Sequence, residues 1–177
     1  IQPVRDSDWK FHAGLEGAGF FTMRQADKRF PLETADGLIG AYMEGKSGAA
    51  QAQLRYTHIS AHLADGSLSS PIAYSRETLS LRFGYFPADE TQLYAGAHAL
   101  TNSIPEVHPW SFQWGSTFFV PLGKTKIVPF GGVDFRWKSE SGYNPSFNLQ
   151  LGIALNNPPE AYRSFSFFYS YYTGADP

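Results

Sequence analysis

Apolar and polar side chains alternate with period two through nine stretches of this chain, and an alternation that long leaves antiparallel strands as the only regular structure it can build. From Trp9 to Met23 the odd positions carry Trp9, Phe11, Ala13, Leu15, Phe21 and Met23, while Lys10, His12 and Glu16 hold even ones. Trp110, Phe112, Trp114, Phe118, Val120 and Leu122 likewise oppose Ser111, Gln113, Gly115 and Thr117. Phe147 to Leu155 and Phe165 to Tyr171 repeat the pattern against Asn, Gln, Gly and Ser. No segment shows helical spacing over a comparable length.

The expected strands are 9–24, 37–46, 49–63, 74–87, 91–101, 110–122, 126–138, 145–156 and 162–173. The longer connections, 25–36, 64–73, 102–109 and 139–144, share one end of the sheet. Short turns at 46–48, 87–90, 123–125 and 157–161 close the other. Strands of about ten residues joined by alternately long and short loops describe an up-and-down transmembrane β-barrel of a Gram-negative outer membrane. The whole of 1–177 reads as one barrel domain. Nine is an odd strand count where single-chain bacterial barrels have even ones, and no aromatic ends the chain at Pro177. The expectation is therefore a barrel incomplete at both ends.

Composition narrows the class. A net charge of −2 without a Lys/Arg run argues against a nucleic-acid partner. With no cysteine there are neither disulfides nor thiolate metal sites. The aromatic 16% gathers near strand ends, as girdles do at a bilayer interface, and no apolar run is long enough for a membrane helix. Small residues such as Gly84, Gly96, Gly115, Gly132 and Gly152 fill the other face. The competing fold is a soluble calycin-like carrier whose greasy face points inward around a ligand. Period two does not decide which face is inside.

One constellation carries chemistry. In the third strand Ala52, Leu54 and Tyr56 share the apolar face, and His58, Ser60 and His62 continue it. In the fourth strand Glu77 is in phase with Leu79, Leu81, Phe83 and Tyr85. A hairpin placing His62 across from Glu77 and Ser60 across from Leu79 joins a hydroxyl, two imidazoles and a carboxylate on the outward surface near the long loops. Those are the parts of a serine hydrolase. The alternative is that these groups merely sit in the headgroup zone, or that a bulge near Thr57 turns all three inward.

The His-x-Ser pair followed by a Glu resembles the motif of outer-membrane lipid A 3-O-deacylases. That resemblance implies Ser60 as nucleophile, His58 as base and Glu77 as the orienting acid. The chain departs from the motif at Ala61, where that family has Asn, and in its additional His62. More widely, RYTHISAHLADG, YSRETLSLRFGYFP, LYAGAHAL, PWSFQWG, VPFGGVDFRWKSESGYNPSFNLQLGIAL and FSFFYSYYTGADP resemble a family of bacterial outer-membrane proteins known mainly as a domain of unknown function. This implies a location and an architecture, and no activity.

Other polar groups read as structural. Asp134, Arg136 and Lys138 alternate on the polar face of the seventh strand and, with Arg82 and Glu44, form an expected salt-bridge network plugging a narrow lumen. His98 and His108 lack ligand-spaced partners, so no metal is expected. Calcium would need loop acids such as Asp65, Glu106 and Glu140 to converge. No glycine run precedes a helix, so no nucleotide cofactor is expected. The leading reading is an outer-membrane protein acting on lipids, an ester hydrolase of lipopolysaccharide or phospholipid. Its rival is a non-enzymatic barrel, a narrow pore or a scaffold whose protein partner docks on the long loops.

Overall fold

The computed structural model describes residues 8–63, 74–123, 125–155 and 165–174. It is a single antiparallel sheet of nine strands in sequence order: β1 (Lys10–Met23), β2 (Leu32–Ser47), β3 (Ala50–Leu63), β4 (Tyr74–Ala88), β5 (Thr91–Ile104), β6 (Trp110–Phe119), β7 (Ile127–Lys138), β8 (Pro145–Leu155) and β9 (Phe165–Thr173). Every strand pairs with its neighbour in the chain, the arrangement that short connections favour. Among the described residues no ladder joins β1 to β9, and no helix is long and apolar enough to cross a membrane.

Most strand limits fall within a few residues of those expected. β2 is the exception, starting at Leu32 because Ala26 and Arg29 exchange backbone hydrogen bonds in a tight turn. Gly48 takes a φ of 54° in the turn between β2 and β3, a conformation that favours glycine. The alternation of long and short connections holds at first but fails at 120–126, which spans more residues than 105–109 or 139–144. The connections 64–73 and 156–164 lie outside the described residues.

The apolar side chains do not converge on a core. Only Ala61, Val128 and Ala154 are buried apolar residues among those described, whereas Leu15 is 88% exposed and Ile39, Phe83, Phe167 and Tyr169 stand well out of the sheet. They share one face. The register aligns Leu15, Ala41, Tyr56, Leu79 and Ala99 in one row, and Phe112, Trp137 and Pro145 in another. Trp114, Phe135 and Phe147 stack in succession on this surface, with ring centroids 4.3 and 4.8 Å apart.

The opposite face is concave and polar. One cavity of about 420 Å³ is lined by residues from β3 to β8, including Arg55, Arg82, Tyr94, Gln113, Asp134 and Asn148, which requires the sheet to curl around it. Two polar bridges span three strands, each passing over a glycine. Glu16 on β1 reaches across Gly40 to Arg55 (3.4 Å) and Thr57 (3.5 Å) on β3. Tyr94 on β5 reaches across Gly115 and donates its hydroxyl to Asp134 on β7 at 2.7 Å. A Cβ at either glycine would collide with the bridging side chain. The glycines of this face are thus the space in which long polar side chains lie down.

The expected plugging network is corrected in its membership. Asp134 pairs with Arg136 at 2.7 Å. Arg82 lies over the Tyr94 ring, 5.2 Å from its centroid. Glu44 belongs elsewhere, accepting from Gln53 at 2.9 Å and meeting His12 at 2.7 Å, because the register sets it between β1 and β3. His98 bonds Ser80 at 2.8 Å.

Candidate functional site

The β2–β3 and β3–β4 ladders run without a shift through Thr57, so no bulge turns the third strand over. Gln53, Arg55 and Thr57 face the concave wall, and Tyr56, His58, Ser60 and His62 face outward with Leu54. The outward phase of the candidate residues follows directly from that unbroken pairing.

Their pairing differs from the expected one. Glu77 stands opposite His58, and Ser60 stands opposite Ser75; Leu79 is opposite Tyr56. The hairpin is four residues out of the anticipated register, an even shift that keeps both apolar faces together. Hydrophobic phase therefore could not distinguish the two arrangements. His62 pairs with Ala35 on β2 and lies beyond the last β3–β4 pair, so it does not meet Glu77. Of the two histidines, His58 is the one brought to the carboxylate.

His58 Nδ1 lies 3.7 Å from Glu77 Oε1, both side chains being about one-third exposed. This is ion-pair range and longer than a hydrogen bond. With Nδ1 toward the acid, Nε2 is left for another partner. Among the described residues no hydrogen bond joins His58 to Ser60, which is two residues on along the same face.

Two further polar neighbours were not anticipated. Ser75 was legible, since it shares the phase of Glu77. Asn102 was hidden by a bulge: the β4–β5 ladder passes from Thr78–Leu100 to Glu77–Asn102, leaving Thr101 as the extra residue. Thr101 Oγ1 donates to the Glu77 carbonyl at 3.2 Å. The bulge reverses the phase of β5 and brings an amide beside Glu77. The outward row is thus Gly17, Ile39, His58, Glu77 and Asn102, flanked by Gly37, Ser60 and Ser75.

A cavity of about 600 Å³ opens beside His58, lined by Leu15, Ile39, Ala41 and Tyr56. Small residues of β1 and β2, among them Gly17, Gly37 and Ala41, leave this part of the outward wall shallow. The site therefore joins an apolar trough to a serine, a histidine and a carboxylate.

Of the acids considered for calcium, Glu140 is taken by Arg76 at 2.8 Å, and Asp65 lies outside the described residues. No group of His, Asp and Glu among the described residues is arranged to hold a metal ion.

Fold and site together define an all-β protein, one curled antiparallel sheet with an apolar convex face, a polar concave face and a polar island on the former. The chain belongs to the family described as Protein of unknown function (DUF1207), whose model matches residues 4–177. No curated protein and no solved structure matches it.

Proposed function

We propose that this protein is a transmembrane β-barrel of a bacterial outer membrane that works at the lipid interface, hydrolysing an ester of lipopolysaccharide or phospholipid. The observation that carries the reading is the outward position of the polar island within a wall of exposed Leu, Ile, Phe and Trp. A water-soluble sheet does not leave an apolar face of this extent open, whereas hydrocarbon solvates it at no cost. Since β1 and β9 run in the same direction, antiparallel closure between them takes an odd number of further strands.

Ser60 lies three residues from the end of β3, about 10 Å along the strand. The proposal sets this level at the acyl esters of the lipid, just inside the headgroups. The apolar trough beside His58 suits an acyl chain lying against the wall. In the proposed reaction Ser60 Oγ attacks the ester carbonyl carbon and passes its proton to His58 Nε2, while Glu77 holds the Nδ1–H. Collapse of the tetrahedral intermediate expels the alcohol, which takes that proton. Water deprotonated by His58 then releases the acyl group from Ser60 as a free acid. The proposal requires the 3.7 Å His58–Glu77 separation to shorten when substrate excludes water.

A Ser60→Ala variant tests this directly. Purified wild type in mixed micelles should release fatty acid from outer-membrane lipid and Ser60→Ala should not. Identical lipid profiles in cells with and without the protein would exclude the hydrolase and favour a non-enzymatic barrel. A chain that stays monodisperse without detergent would exclude the membrane reading itself.

A further inference from the structure

The concave wall holds a second cluster of charged groups, on the other side of the sheet from His58 and Glu77. The 420 Å³ cavity is lined by Arg55, Arg82 and Arg136, with Asp134 as its one carboxylate. That carboxylate is already engaged: it accepts from the Tyr94 hydroxyl, from Gln113 Nε2 and from Arg136 Nε. Arg55 leans to Glu16 at 3.4 Å. Arg82 is different, making no ion pair with a carboxylate among the described residues.

Arg82 is nevertheless held in place. Its guanidinium lies over the Tyr94 ring, and that ring is fixed in turn by its hydroxyl bond to Asp134. Gly96, paired across from Arg82, leaves room for the arginine stem, where a Cβ would come within 3.1 Å of Cγ. A guanidinium lying over an aromatic ring, with no hydrogen bond from its N–H fork among the described residues, is preorganised for an oxyanion, which it grips through two parallel charge-assisted hydrogen bonds. Ser80, His98 and Gln150 add hydrogen-bonding groups around the same space. The chain as a whole carries −2, yet the wall of this cavity carries two more cations than anions.

We propose that the concave face binds a small oxyanion, a phosphate or phosphate ester, on Arg82 with Arg136 beside it. This holds whether or not the convex face carries an esterase.

Titration of the detergent-solubilised full chain with inorganic phosphate, followed by calorimetry, tests it. Wild type should bind phosphate, and sulfate should compete. Arg82→Gln should weaken binding at least tenfold, as expected when a bidentate charged contact is removed. Arg82→Lys, which keeps the charge and loses the fork, should fall between them, and Arg24→Gln, which follows β1, pairs with Glu33 on β2 and does not line the cavity, should bind as wild type does. Absence of binding by the wild type, or equal binding by wild type and Arg82→Gln with both showing the same far-ultraviolet dichroism, would overturn the proposal. Loss of binding in Arg82→Gln accompanied by loss of β-sheet signal sends the decision to Arg82→Lys: equal binding by that variant and wild type would overturn the fork, and weakened binding would support it.

Discussion

Strand β4 faces two surroundings at once: outward through Glu77 and inward through Arg82, five residues apart. On the outward side the polar groups are few, loosely spaced and set in an apolar wall, with 3.7 Å between His58 and Glu77. On the inward side Asp134 gathers three donors, and Tyr94 and Glu16 each span three strands. The inner network has the density of an element that holds a sheet together, because a half-buried carboxylate without its donors is costly. The outer island rests on the loose His58–Glu77 pair and leaves its serine without a hydrogen-bond partner among the described residues. On the proposed membrane reading, each polar group in that wall costs free energy to solvate in lipid, which is why the island is the place to test for chemistry.

Substitutions on the two sides of β4 should separate these roles. Ser60→Ala should abolish ester hydrolysis, a loss of at least about 10³-fold, with unchanged resistance to urea, since Ser60 anchors no other side chain. Loss of stability without loss of hydrolysis would reverse the assignment. Asp134→Ala should do the opposite, lowering the stability of the folded protein by about 2–4 kcal/mol through stranded Arg136 and Tyr94 donors, while hydrolysis persists below the unfolding transition. Gly115→Ala should cost about 1–3 kcal/mol, because the new Cβ collides with the Tyr94 hydroxyl and the Val133 carbonyl. Its measure is the midpoint of urea unfolding, and an unchanged midpoint would show that the Tyr94 bridge is dispensable.

The smallest effect on stability belongs to a test of register. A His58→Cys/Glu77→Cys pair should form a disulfide under mild oxidation, since directly opposed strand residues have the Cα separation a disulfide needs. His62→Cys/Glu77→Cys should not, being four residues or about 13 Å out along the strand. The reverse outcome would restore the pairing that the sequence favoured and replace His58 with His62 at the acid.

Phase was legible in the sequence and register was not, for one reason. A period of two fixes which side a residue faces, so the outward placement of His58, Ser60 and Glu77 could be read from Leu54, Tyr56 and Leu79. An even slip leaves that phase unchanged, and only the geometry of the connecting loop chooses among even slips. Asn102 was unreadable because the bulge at Thr101 breaks the period it would have been counted from. The Tyr94–Asp134 bridge did leave a trace. Tyr42 and Tyr94 are aromatic residues on the polar phase, each paired with a glycine, Gly14 and Gly115. Charge alone grouped Glu44 with Arg82 and Asp134, when strand position keeps it with His12 and Gln53.

The central claim is that the apolar face is solvated by hydrocarbon. Trp110, Trp114 and Trp137 lie on that face and Trp9 is in phase with it, so all four tryptophans of the chain report on it without mutation. In bilayers containing lipids brominated along the acyl chain, tryptophan emission should be strongly quenched, and aqueous acrylamide should quench it little. Strong quenching by acrylamide with no response to the brominated lipids would contradict the claim, placing the same side chains in contact with water.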